Sequence, residues 1–211
     1  MNIFRVPFFL PWLYPNLVWR IPTHQKELFL TFDDGPVPGP TDFVLETLHK
    51  HNCKATFFCI GDNVRKHPEV FKRIVENGHG IGNHTFNHLK GWSTPLESYI
   101  ENVNLCENEF KGSEHETRNP KLFRPPYGRI TRPQIRALQN YKIVMWDVLT
   151  LDYNKNVSAE SCLRNSIRAT RPGSVIVFHD SLKAERNLMF ALPRFVDHFF
   201  EQGYEFKRLP A

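Results

Sequence analysis

From Pro22 onward the chain alternates short apolar runs with amphipathic helical patterns, and that pace restricts the fold more than any other feature. Strands separated by helices of this length make parallel βα units. Strands are expected over 27–32, 55–60, 80–82, 122–123, 143–146, 174–178 and 205–208. Helices are expected over 41–51, 63–77, 131 to about 141, 158–170 and 188–202, with Gly78 and Gly203 closing two of them. Thr94-Pro95-Leu96-Glu97 and Thr131-Arg132-Pro133-Gln134 read as capping boxes. After the first box, Leu96, Tyr99, Ile100, Val103 and Phe110 line up on one apolar helix face. Residues 111–121 are polar and charged and read as an exposed loop. About seven strands in one domain predict a closed or nearly closed, distorted (β/α) barrel. An open doubly wound sheet is the alternative, but no G-x-G-x-x-G follows the first strand.

The 211 residues, 41% hydrophobic, suffice for one domain with a sizeable core. Disorder, collagen and coiled coil are excluded by so ordinary a composition. With 27 basic and 22 acidic side chains the formal charge is +5. The excess forms no stripe, and Arg65, Lys66, Lys72 and Arg73 fit a solvated helix face, so nucleic acid is not an expected partner. None of the four cysteines stands in a C-x-x-C pair. They suit buried thiols, which leans towards a reducing compartment. Residues 1–25 stand apart as an aromatic, proline-rich segment ahead of a domain over 26–211. Pro7, Pro11, Pro15 and Pro22 break the segment too often for a membrane span, and it lacks the basic start and cleavage site of a signal peptide. Packing on the domain is the simpler reading. A peripheral membrane contact through its aromatics is the other. The compartment is cytoplasmic only by default, and the oligomeric state is not legible.

Barrels carry their chemistry at the carboxyl ends of the strands. After the first strand stand Asp33 and Asp34, followed by Gly35-Pro36 to turn the chain. Two adjacent carboxylates repel unless a cation sits beside them. Alone, an Asp-Asp-Gly turn is commonplace. After the third strand come His84 and His88, which at this spacing share one face of a helical turn and can share a metal. One carboxylate and two histidines leave positions free for water on a catalytic zinc, and the second carboxylate remains for base work. Arg124 precedes Pro125-Pro126-Tyr127-Gly128, where the prolines fix the loop and free the Tyr127 amide as a donor. Trp146-Asp147, Asp152-Tyr153 and Val177-Phe178-His179-Asp180 mark two further strand ends. So many polar clusters at strand ends are hard to explain as packing.

These clusters, from about Glu27 to Arg208, resemble the polysaccharide deacetylases, the NodB-homology carbohydrate esterases of family four. Five motifs stand in the family's order: TFDDG at 31–35, H-[ST]-x-x-H from His84 to His88, R-x-P-Y-G from Arg124 to Gly128, the segment from Trp146 to Asp152-Tyr153, and Val177-Phe178-His179. The resemblance implies a distorted barrel with fewer than eight regular strands and metal-dependent removal of acetyl groups from N-acetylated sugar polymers. It makes Asp33 the general base and Asp34, His84 and His88 the metal ligands. Arg124 would orient the base, the Tyr127 amide would help bind the oxyanion, and Asp152 would tune His179, the general acid. Three positions depart from the pattern. Leu149 stands where an additional Asp is usual, Tyr153 where Trp is usual, and Val177 where Leu is usual. The changes at Tyr153 and Val177 bear on substrate fit more than on chemistry.

The expected reaction is hydrolysis of the acetamide by metal-bound water, with Asp33 taking its proton and His179 protonating the leaving amine. The cofactor is a divalent metal, zinc first, with Co, Ni or Mn as alternatives. Chitin oligosaccharide, peptidoglycan and related glycans present the same acetamide, and Trp92, Trp146 and Tyr127 are candidate sugar-stacking faces. Cleavage of O-acetyl esters of the xylan type, hydrolysis of a small ring amide, and glycan binding without turnover are the other readings.

Overall fold

The computed structural model describes residues 3–110 and 121–210. Its strands are β1 (Glu27–Asp33), β2 (Thr56–Cys59), β3 (Gly80–Asn83), β4 (Lys121–Phe123), β5 (Tyr141–Ile143), β6 (Val148–Leu149), β7 (Val175–His179) and β8 (Glu205–Phe206). All their pairings are parallel, in the order β5-β4-β3-β2-β1-β7-β6, with β8 added beside the start of β1. Seven strands thus form a curled half-barrel, as the alternating pattern predicts. Strand β1 lies at its middle and is buried on both faces, so it reads as a continuous apolar run rather than an alternating one. Phe32 stacks between Phe57 and Phe178, with ring centroids 5.0 and 6.2 Å away.

Around the sheet lie α1 (Phe9–Leu13), α2 (Pro40–Lys50), α3 (Gly61–Lys66), α4 (Pro68–Glu76), α5 (Leu96–Glu107), α6 (Arg132–Ala137), α7 (Ala159–Ala169) and α8 (Glu185–Glu201). The single helix expected over 63–77 is two helices. His67 breaks it, because a residue before proline is pushed out of the α region, and Pro68 then opens α4. Thr94 does not cap α5. Its hydroxyl donates to the Lys90 carbonyl, and the helix starts behind Pro95. The box at Thr131 forms as expected, Thr131 and Gln134 each accepting from the other's backbone N–H. The strand expected over 143–146 comes earlier, and the two-residue β6 has no pattern long enough to announce it. Of the loop expected over 111–121, residues 111–120 lie outside the described residues, while Lys121 opens β4. All four cysteines are buried and free.

The two open edges, β5 and β6, are covered by the segment that precedes β1. Val18 bridges Val144 in parallel, Arg20 bridges Ser174, and Arg5 bridges Val148. Backbone groups that an edge would leave unpaired are thereby satisfied. Leu17 and Trp19 are buried against Tyr99, Phe123 and Met145. The earlier part of the segment behaves differently: Phe8 and Trp12 are 92% and 79% exposed. No helix among the described residues is long and apolar enough to cross a membrane. Trp19→Ala should therefore lower stability by about 3–5 kcal/mol, since it empties a packed site. Phe8→Ala should leave the urea midpoint unchanged. Equal shifts for the two variants in equilibrium unfolding would contradict this division of the segment.

Candidate active site

Strand register brings the motifs together. Asp33 at the end of β1 is the direct neighbour of His179 at the end of β7. On the other flank, Asn83 pairs Phe123, so the next residues, His84 and Arg124, leave the sheet side by side. The histidine Nδ1–H donates to the Arg124 carbonyl at 2.8 Å. A ring bonded this way keeps Nε2 free with its lone pair outward.

Asp34, His84 and His88 form a cluster whose ligand atoms all lie within 4.8 Å of one another. Asp34 Oδ1 is 3.2 Å from His88 Nε2 and 3.7 Å from His84 Nε2. Burial pushes the His84 imidazolium pKa down despite the Asp33 and Asp34 charges. Burial, with His84 beside it, brings His88 down to about 4. Both rings are then neutral and able to ligate. Two neutral imidazoles with outward Nε2 atoms and one carboxylate are a donor set that fits a divalent cation, zinc above all. The two histidines do not share a helical turn as expected. They sit in a loop in which Thr85 and His88 have φ of 63° and 55°. Asn102 on α5 fixes that loop, accepting from the Phe86 and Asn87 amides at 2.8 and 3.0 Å.

Arg124 is fully buried and donates to Asp33 Oδ1 (2.7 Å), Thr31 Oγ1 (2.8 Å), and the Val144 and Met145 carbonyls (3.1 and 2.9 Å). Its guanidinium lies 4.1 Å over the Phe58 ring. Burial alone would raise the Asp33 carboxyl, but Arg124, with His84 and His179 beyond it, holds the pKa below the ordinary value. His179 takes the opposite charge. Burial works against its imidazolium, but Asp152, by charge and by hydrogen bond, outweighs that and lifts the pKa to about 9. The ring's Nδ1 is 2.8 Å from Asp152 Oδ1, and the His179 amide donates to Oδ2 at 2.7 Å. Asn187 on α8 secures the Asp152 loop through the Asp152 and Val157 carbonyls.

Asp33, Asp34, His84, His88 and His179 border one cleft of about 850 Å³, which Tyr127, Trp146, Leu149, Tyr153 and Lys183 also line. Tyr127 has φ 61°, and the amides of Gly128 and Arg129 donate to Pro125 and Pro126, which leaves the Tyr127 N–H outside that turn's bonds. Trp146 packs on Gly128, where a Cβ would come within 2.4 Å of its ring. Tyr153 meets the His179 ring edge-on at 4.8 Å. Trp92 is not in the cleft lining; it stands at the rim under Arg129, 4.9 Å from its ring. Asp147 is turned away and binds Arg171 and Ser174. Asn102 and Asn187 are supporting residues outside the motifs, and Thr31 and Asp180 are supporting residues that stand in the quoted clusters without having been given a role. Asp180 accepts from the Gly35 amide and from Thr41, and burial followed by the Asp34 charge raises its pKa to about 8. Only its place directly after His179 could have signalled it.

Residues 20–146 match the polysaccharide deacetylase family. Over 196 residues the chain is 37% identical to a peptidoglycan-N-acetylglucosamine deacetylase of Bacillus cereus, spanning 90% of this chain and 69% of that protein. It is 30% identical over 176 residues to a chitooligosaccharide deacetylase of Azorhizobium caulinodans, spanning 81% of each. A crystal structure of a peptidoglycan N-acetylglucosamine deacetylase in complex with 4-naphthalen-1-yl-N-oxidanyl-benzamide superposes with a TM-score of 0.87 at 34% identity, over 97% of this chain and 95% of that one.

Two measurements check the electrostatics. In the metal-free protein at pH 7, nitrogen-15 NMR should show His179 as imidazolium and His84 and His88 as neutral rings, with the His84 proton on Nδ1. In calorimetric titration with Zn²⁺, Asp34→Asn should lose affinity while Asp33→Asn retains about one equivalent. The reverse pattern would exchange the two carboxylates.

Proposed function

The chain belongs to the polysaccharide deacetylase family, and on that premise we propose that it hydrolyses N-acetyl groups of N-acetylglucosamine-type sugar polymers. Peptidoglycan is the first candidate polymer and chitin oligosaccharide the second, by likeness to the named relatives. One observation carries the reading. Asp33 and His179 are register partners of opposite charge that border the same cleft as the Asp34–His84–His88 cluster. A glycan binder would have no use for a base and an acid so placed.

A divalent cation held by Asp34, His84 and His88 would supply Lewis acidity and lower the pKa of a water in the cleft. Asp33 takes the proton of the attacking water. Arg124 occupies Oδ1 of that carboxylate, so Oδ2 is the accepting atom. The Tyr127 N–H donates to the oxyanion as it develops. His179 keeps Nδ1 on Asp152, so its Nε2 proton passes to the departing nitrogen. That transfer is required for an amide, because an amine anion is too basic to leave. Asp152 orients the ring and stabilises its cationic form. Tyr153 and Trp146 wall the acetyl and sugar side of the cleft.

Acetate release should be measured on N-acetylated glycans and on 4-nitrophenyl acetate. Asp33→Asn should lose most turnover. His179→Ala should lose about 10²–10⁴-fold on the glycan and far less on the ester, whose leaving group departs unprotonated. Wild-type activity on the glycan should fall as pH rises through the His179 pKa of about 9, the mutant should lack that limb, and Asp152→Asn should move it to lower pH. Equal losses of His179→Ala on both substrates would remove His179 from the acid role. No acetate from either would leave a binding module.

A further inference from the structure

The segment that covers the sheet edges carries a feature its structural role does not use. Six of the twelve exposed large hydrophobics among the described residues are Ile3, Phe8, Phe9, Trp12, Leu13 and Tyr14. None of the five residues of α1 is buried. The first 22 residues contain no acidic side chain, and their basic ones are Arg5 and Arg20. Both arginines border the same cleft of about 840 Å³ as Phe8 and Pro11. Arg171 borders it too, but Asp147 neutralises it. Arg5 donates to the Ala169 carbonyl and Arg20 to the Pro172 carbonyl, and among the described residues neither pairs with a carboxylate.

We propose that residues 3–20 are a docking surface for an anionic phospholipid bilayer. Phe8, Phe9, Trp12 and Leu13 enter the interface, and Arg5 and Arg20 meet the lipid phosphates. Phe9, Trp12 and Leu13 project from the short helix α1, and Phe8 from its N-terminal cap. Rings of this kind favour the headgroup boundary, and uncompensated arginines beside them favour anionic lipid. A second copy of the chain is a poorer occupant, because a twofold contact would set the same unpaired arginines against each other. The Arg20 end of the segment is remote from the catalytic cleft. Arg20 pairs with Ser174, just before β7 begins, whereas His179 stands at the strand's other end.

The test is co-sedimentation of the full chain with vesicles of phosphatidylglycerol and phosphatidylcholine, against vesicles of phosphatidylcholine alone. Binding should require the anionic lipid, weaken several-fold between 0.1 and 0.5 M salt, and fall about tenfold or more in Phe8→Ser/Trp12→Ser. That variant should keep the wild-type urea midpoint, since both side chains are exposed. Trp12→Phe should preserve binding and remove the lipid-induced blue shift of tryptophan fluorescence. Absence of binding to either vesicle, or salt-independent binding to both, overturns the proposal. So does self-association that the double variant abolishes, which would assign the patch to a second copy.

Discussion

A guanidinium with no access to solvent sits at the centre of this fold, and the arrangement of the site follows from what it demands. A buried charge is tolerated only when paired and fully hydrogen-bonded. Arg124 bonds through four of its five N–H donors and stacks on a ring, using Thr31 and Asp33 of β1, the Val144 and Met145 carbonyls after β5, and the Phe58 face on β2. Those acceptors coincide only if the strands keep their register and the chain after β5 stays on its path. Val18 holds that path, accepting from Met145 and donating to Ile143. The amino-terminal segment, remote in sequence from the motifs, thereby helps place Asp33, the proposed base.

The cleft shows how environment divides like residues into unlike roles. His84, His88 and His179 all border it, and all are penalised by burial. Only His179 has a carboxylate bonded to both its ring and its amide, and it alone is lifted above neutrality. Backbone strain is distributed with similar purpose. Among the described residues, five of the six non-glycine residues with positive φ, namely Asp34, Thr85, His88, Tyr127 and Leu151, belong to the site or its supporting loops. Such conformations persist where surrounding bonds over-determine them. Asn63 donates to the Asp34 carbonyl, Asn102 grips the histidine loop, and Asn187 grips the Asp152 loop.

The parallel βα architecture and the polar strand ends were legible because they are local patterns: apolar runs, helical periodicity, a turn after Asp33-Asp34. Boundaries failed where one residue overrode a long pattern, as Pro68 does between α3 and α4. Strand β6 was too short to see. The helical spacing of His84 and His88 suggested a pair that the structure does bring together, but by another geometry, since convergence comes from left-handed residues in a loop. Asn102 was hidden because it looks like a polar interruption of an amphipathic helix. Its partners lie fifteen or sixteen residues away, and only the folded loop shows them.

Leu149 is the departure from the family pattern that the structure makes most intelligible. It lines the cleft and packs partly into the core, so a carboxylate at that position would face both the site and the apolar interior. Among the described residues the one carboxylate that Arg124 bonds is Asp33, and its remaining bonds go to a hydroxyl and two carbonyls. The whole guanidinium charge is therefore directed at a single carboxylate. This favours the ionised form of Asp33 where burial alone would raise its pKa, but it also makes Asp33 a weaker base. A base of low pKa suits an attacking water that is itself made acidic, and suits it poorly otherwise. In the proposed mechanism the Arg124–Asp33 pair and the Asp34–His84–His88 cluster are in that sense one design: a base so stabilised would be useful only where a cation held by the neighbouring ligands acidified the water it is proposed to deprotonate.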